Sequence, residues 1–140
     1  MQKPKINTTK IIKDNPTCNI GYNKVGCFKD DSKQPRPLKE RLFVDSLNSG
    51  YEIDWGSWND YMVDLVCRCA EVAAAKKHDY FGIQNFGECW AGGNTYNRVG
   101  QSNECLSDDY ETCQEDPKAN KHNCVGKKDT NYVYMLRFRG

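Results

Sequence analysis

The sequence is short of apolar residues. Hydrophobic residues make up 38% of its 140 residues, and the mean hydropathy is −0.84, whereas globular proteins usually contain more apolar residues. The length predicts one domain, and no apolar run approaches the length of a membrane span. Because such a domain buries little apolar surface per residue, we expect covalent cross-links to supply much of its stability.

Metal-binding and redox motifs are also missing. Zinc sites usually contain Cys-x2-4-Cys pairs, and thiol redox proteins use Cys-x-x-Cys. The closest cysteines here are Cys67 and Cys69, with one residue between them, and the only histidines are His78 and His122. We therefore expect neither a metal nor another cofactor.

No group of residues points to catalysis. The serines lie outside any nucleophile-elbow motif, and no pair of carboxylates is singled out by its context. The formal net charge of +1 gives no global field that would select nucleic acid or an anionic membrane. We predict a protein that is not an enzyme, does not bind nucleic acid and does not insert into a membrane.

Cysteine is abundant, with eight residues spread along a polar chain. An even number of cysteines in such a setting is typical of a disulfide framework, whose pairing the sequence leaves open. Disulfides persist outside the reducing cytosol, so we predict a secreted, extracellular protein. The predicted disulfide cysteines are Cys18, Cys27, Cys67, Cys69, Cys89, Cys105, Cys113 and Cys124.

The amino-terminal segment differs from the rest of the chain. Residues 1–17 are polar and basic, and we expect a flexible leader that precedes a cysteine-rich domain over 18–140. Residues 1–13 lack the apolar core of a signal peptide, so we expect the mature part of a secreted protein. Asn7, in Asn-Thr-Thr, is the predicted N-glycosylation site.

The clearest predicted helix runs from about Trp58 to Lys77, where apolar residues recur at helical spacing. Cys67 and Cys69 would lie about 200° apart on this helix, so we expect them to reach two different segments. For Cys69 we prefer Cys89 as the partner, because this bond would join the buried helix face to a neighbouring strand.

Strand patterns surround this helix, and the predicted fold class is α+β, with one main helix packed on an antiparallel sheet. Leu38, Leu42 and Leu47 suggest one or two helical turns. Residues 94–128 are predicted to form a long loop that its cysteines tether. The predicted strands cover residues 24–28, 80–86 and 131–137, with a further short strand within 87–93.

Several of these motifs resemble the WSC domain, a cysteine-rich extracellular module. Its opening motif is matched by Gly26-Cys27-Phe28, its two-cysteine helix by the helix with Cys67 and Cys69, and its Glu-Cys-aromatic segment by Glu88-Cys89-Trp90. Later matches are Cys105, Cys113, Cys124 and Val133-Tyr134. Ala91 replaces a family cysteine, and the resemblance implies that the additional Cys18 takes up the cysteine left over.

The resemblance implies a PAN/apple-like fold and a function in adhesion or glycan binding without catalysis. We predict a non-catalytic module that recognises a glycan or an extracellular-matrix protein. The alternative is a secreted effector, such as a receptor ligand, toxin, antimicrobial protein or inhibitor, built on a disulfide scaffold.

Aromatic and amide side chains are the candidates for ligand contact, because rings supply contact area and amides hydrogen-bond. Burial is the favoured interpretation for Trp55, Trp58 and Trp90, and Trp90 is also kept as a contact candidate. The acidic segment from Glu104 to Asp116 is interpreted as a solvated loop in preference to a calcium site. The predicted ligand-binding residues are Trp90, Asn94, Tyr96, Asn97, Arg98 and Tyr110.

Overall fold

The computed structural model describes residues 18–46, 49–113 and 122–137. The predicted leader, with Asn7, lies outside the described residues. A single long helix packs on a five-stranded antiparallel sheet, which confirms the predicted α+β class. The elements are β1 (Gly21–Lys29), β2 (Glu40–Val44), α1 (Trp58–Ala75), β3 (Tyr80–Gln84), β4 (Glu88–Ala91), β5 (Cys105–Leu106), β6 (Val125–Gly126) and β7 (Thr130–Arg137).

The strands of the large sheet follow the order β1-β7-β3-β4-β2, so the first strand forms one edge and pairs with the last strand. Strands β5 and β6 form a separate two-stranded sheet inside the segment that was predicted to be a long loop. That prediction was wrong for these strands, because two-residue strands are too short to show an alternating sequence pattern.

Helix α1 begins at the predicted residue and ends two residues before the predicted end. A short 3-10 turn, Trp55–Ser57, precedes it, and the Asp54 carboxylate accepts a hydrogen bond from the Ser57 amide at 3.1 Å. The helix stops because Lys77 adopts a positive φ of 64°. Its buried face consists of Trp58, Tyr61, Met62, Leu65, Val66, Cys69, Ala70 and Ala73.

One face of the sheet packs against this helix. In the register of β3 with β7, Phe81 lies opposite Tyr134 and Ile83 lies opposite Tyr132, and all four side chains are buried. The Phe81 and Tyr134 rings stack with centroids 4.9 Å apart. The alternation predicted for this strand therefore places its large side chains in the core.

On the opposite face of the sheet, Leu38 fills the space above Gly82. A Cβ atom on Gly82 would lie 2.7 Å from Leu38 Cδ1, so any larger residue here would force this leucine to shift. The predicted helical turns over Leu38, Leu42 and Leu47 are wrong where the structure describes them. Leu42 lies in β2, because pairing with β4 overrides the local spacing, and Leu47 lies outside the described residues.

Four disulfides pair all eight cysteines. Cys69 bonds Cys89 as predicted, and Cys67 bonds Cys18, so the two helix cysteines do reach two different segments. The remaining disulfides join Cys27 to Cys105 and Cys113 to Cys124. Across the described ranges, no helix is long and apolar enough to cross a membrane.

Candidate functional site

Three aromatic rings form a partly exposed surface at the start of α1, which we call the aromatic platform: Trp55, Trp58 and Tyr110. Trp58 is 3% exposed, whereas Trp55 and Tyr110 are 51% and 44% exposed. Ring centroids lie 5.6 Å apart for Trp55 and Trp58, and 5.1 Å apart for Trp58 and Tyr110. All three interplanar angles are 18° or less, so the rings are nearly parallel.

Hydrogen bonds and an edge contact hold the aromatic platform in place. The buried Trp58 indole N–H donates to the Ser107 carbonyl oxygen at 3.1 Å, and the Tyr110 hydroxyl donates to the Trp55 carbonyl oxygen. The Phe86 ring packs edge-on against Trp55 with centroids 5.4 Å apart. Contacts within the domain therefore fix the platform rings, which reduces the entropy that binding would cost.

The backbone that presents Tyr110 is unusual. Asp109 and Tyr110 both have positive φ values, 57° and 62°, which are uncommon for residues other than glycine. Asn59 on α1 stabilises this conformation: its Oδ1 accepts from the Asp109 amide at 2.8 Å, and its Nδ2 donates to Asp109 Oδ1 at 3.0 Å. The helix thus determines where the tyrosine ring lies.

Asp108, two residues before Tyr110, interacts electrostatically with His122 and Lys24. Asp108 pairs with His122 at 2.8 Å, and burial raises the pKa of Asp108 despite this partner. Burial also lowers the pKa of Lys24 to about 8, although Asp108 acts in the opposite direction. The acidic segment is thus partly held by pairing with other parts of the domain, and its last residues, Glu115 and Asp116, lie outside the described residues.

The predicted ligand residues lie on three different segments. Trp90 lies on β4, whereas Asn94, Tyr96, Asn97 and Arg98 lie together on one loop, where Tyr96 has other ring partners than Tyr110. The Tyr96 ring packs on Phe28 and Tyr80, and Arg98 pairs with Asp31. Tyr110 instead belongs to the aromatic platform. Asn94 and Asn97 are exposed.

Trp90 is half-buried and packs within an ionic network. The Arg36 guanidinium lies 4.4 Å from its ring centroid, and the indole N–H donates to Glu88 at 3.0 Å. Arg36 also donates to the buried carboxylate of Asp30 at 2.7 Å. Through Arg36, these contacts link Trp90 on β4 to the loop between β1 and β2.

Trp58 lies in the core as predicted, whereas the burial predicted for Trp55 is wrong. The reason is that Trp55 lies in the 3-10 turn ahead of the helix, where no sheet covers it. Its contact with Tyr110 spans 55 positions in sequence. No local pattern reports such a contact, although Asp54 and Ser57 do mark the turn that exposes the ring.

No metal centre is evident among the residues that the structure describes. Among these described residues, one group of three potential metal ligands lies close together: Cys18, Cys67 and Glu71. The two cysteines form a disulfide, which leaves no thiolate to coordinate an ion.

The described part of the protein is therefore a small, disulfide-rich α+β domain with an exposed aromatic surface. No protein-family model matches the chain, and no curated protein sequence matches it. The kinship with the WSC module stays a prediction.

Proposed function

We propose that this domain is a secreted, non-catalytic glycan-binding module and that the aromatic platform is its contact surface. The observation that carries the proposal is the pair of half-exposed rings, Trp55 and Tyr110, held nearly parallel over the buried Trp58. Exposed aromatic side chains that are fixed in place are costly to leave in water and are enriched where proteins bind ligands.

The parallel arrangement favours a ligand with flat faces. A pyranose ring presents an apolar face of C–H groups that packs on an aromatic ring, and two neighbouring rings suit an oligosaccharide. A quaternary ammonium group would instead need rings that enclose it from several sides. The 18° angle between Trp55 and Tyr110 therefore supports a sugar in preference to such a cation.

Polar groups next to the rings support the same proposal. Asp54 precedes Trp55, and Asp109 precedes Tyr110, so both rings have a carboxylate close by in the chain. Carboxylate and amide groups accept and donate the hydrogen bonds that sugar hydroxyls make. The four disulfides support an oxidising, extracellular compartment, and the resemblance to the WSC module agrees with glycan binding.

The test is a glycan array followed by calorimetric titration with the best oligosaccharide. Trp55→Ala and Tyr110→Ala should each weaken binding by about tenfold or more, as is usual for aromatic anchors of an interface. Met135→Ala is the matched control, because Met135 is also an exposed apolar side chain but lies on β7. This variant should bind like the unmodified protein.

Two results would contradict the proposal. If both ring variants bind the oligosaccharide normally while their circular dichroism spectra are unchanged, the platform is not the contact surface. If a diverse array shows no binding, the glycan class is wrong, and the secreted effector that acts on a protein becomes the better explanation.

A further inference from the structure

A groove separate from the aromatic platform lies between the sheet edge and the middle of α1, and we call it the Tyr51 groove. Phe43 and Val44 of β2 form one wall, Arg68 and Val72 of α1 form the other, and Tyr51 closes one side. Its volume of about 400 Å³ is within the range of small-ligand sites. Tyr51 itself is 56% exposed.

Arg68 lies in this groove, but its charge is already neutralised. The guanidinium donates to Asp45 at 2.7 Å and 3.2 Å and to Asp64 at 2.7 Å. It also lies 4.2 Å from the Tyr51 ring centroid and 5.1 Å from that of Phe43. An anionic ligand would therefore have to displace two carboxylates from Arg68, so the groove does not suit an anion.

Glu71 gives the groove an uncompensated negative charge. This carboxylate is exposed and lines the groove, and it forms no ion pair with any residue in the described ranges. Asp45, Asp64 and Glu71 together carry three negative charges against the single positive charge of Arg68. Charge complementarity therefore selects a cation.

The apolar walls of the groove favour a cation that is carried on an aliphatic chain. Phe43, Val44 and Val72 present apolar surface, which suits an aliphatic stem, while Glu71 is placed to accept a hydrogen bond from its charged end. We propose that the Tyr51 groove receives a lysine or arginine side chain from a partner protein, with the stem on the apolar walls and the charge at Glu71. The inference does not depend on the glycan proposal.

The test uses the full chain and four short peptides, each an acetylated and amidated pentapeptide with glycine on both sides of one central residue. The central residue is lysine, arginine, norleucine or glutamate, and norleucine keeps the aliphatic stem without the charge. Binding is followed by backbone amide shifts in nuclear magnetic resonance. The lysine and arginine peptides should shift the amides of Val44, Glu71 and Val72 saturably, in the millimolar range.

Variants locate the interaction. Glu71→Gln should weaken binding of the lysine peptide by about two- to fivefold, as expected for one solvent-exposed ion pair. Raising the salt concentration should weaken it similarly, because ions screen such a pair. Asp79→Asn is the matched control, since Asp79 is an exposed carboxylate outside the groove, and this variant should bind normally.

Three outcomes would overturn the inference. The first is the absence of any saturable shift with the lysine and arginine peptides. The second is equal binding of the norleucine and lysine peptides, which would mean that the charge is not recognised. The third is an equal loss of affinity in Glu71→Gln and Asp79→Asn, which would show that the peptide responds only to overall charge.

Discussion

The carboxylate of Asp45 lies at the centre of a buried polar network that joins β2 to α1, and its removal should be costly. Asp45 is 5% exposed and accepts hydrogen bonds from the Tyr61 hydroxyl at 2.6 Å and from two nitrogens of Arg68. Asp45→Asn keeps the shape of the side chain but removes its charge. The amide nitrogen of the new side chain would also face a hydrogen-bond donor.

The size of the stability loss in Asp45→Asn depends on the partners that Arg68 keeps. Breaking a buried ion pair by removing one partner costs about 3–5 kcal/mol. Arg68 keeps Asp64 as a partner, and 18% of its side chain is exposed. We therefore expect the free energy of unfolding to fall by about 3 kcal/mol, at the lower end of that range.

The assay is urea unfolding with the disulfides intact, followed by tryptophan fluorescence. The matched control is Glu104→Gln, which breaks the exposed pair with Lys127 and should change the free energy of unfolding by less than about 1 kcal/mol. In an Arg68→Met background, Asp45→Asn should cost much less, because the partner is already gone. Equal losses for Asp45→Asn and Glu104→Gln would refute the reasoning.

Three further predictions concern pH, packing and covalent cross-linking. Because burial lowers the pKa of Lys24 to about 8 from 10.5, the unfolded chain binds more protons between these pH values. The free energy of unfolding should therefore rise from pH 7 to pH 9.5, and this rise should be smaller in Lys24→Met. Gly82→Ala should lower the free energy of unfolding by about 1–3 kcal/mol through overpacking against Leu38, and a second change, Leu38→Val, should restore part of the loss in urea unfolding. Replacing both Cys69 and Cys89 by alanine should cost about 3 kcal/mol in the same assay, because this disulfide closes a 20-residue separation.

Each of these predictions has an outcome that contradicts it. The pH prediction is contradicted if the free energy of unfolding rises equally with pH in Lys24→Met and in the unmodified protein. For packing, the contradicting outcome is a Gly82→Ala variant as stable as the unmodified protein, or one that Leu38→Val destabilises further. For the disulfide, it is an unchanged urea midpoint in the double cysteine variant.

The sequence was most informative where short-range pattern and covalent chemistry coincide. Helix α1 could be predicted because its apolar positions recur every three or four residues within one element. The Cys69–Cys89 bond followed from the same geometry, since Cys69 belongs to the buried face and the next strands along the chain must pack there. Alternation in β3 likewise reported which side chains enter the core.

The parts that failed depend on contacts between distant segments. Leu38 and Leu42 have helical spacing, yet one covers Gly82 and the other lies in a strand paired with β4. Tyr96 and Tyr110 were both predicted to bind ligand, but their separate positions could not be predicted, because the positive φ angles at Asp109 and Tyr110 direct the Tyr110 ring to the start of α1. Such contacts depend on the whole fold, and no window of sequence contains them.

The two cysteines on opposite sides of α1 have a mechanical consequence. Bonds from Cys67 to Cys18 and from Cys69 to Cys89 prevent the helix from rolling or sliding on the sheet. Trp58 and Glu71 are 13 positions apart on this helix, which corresponds to about 20 Å along its axis. The aromatic platform and the Tyr51 groove therefore stay at a constant spacing, so separate ligands should bind without cooperativity, while a glycosylated partner that spans the distance would gain avidity as a chelate.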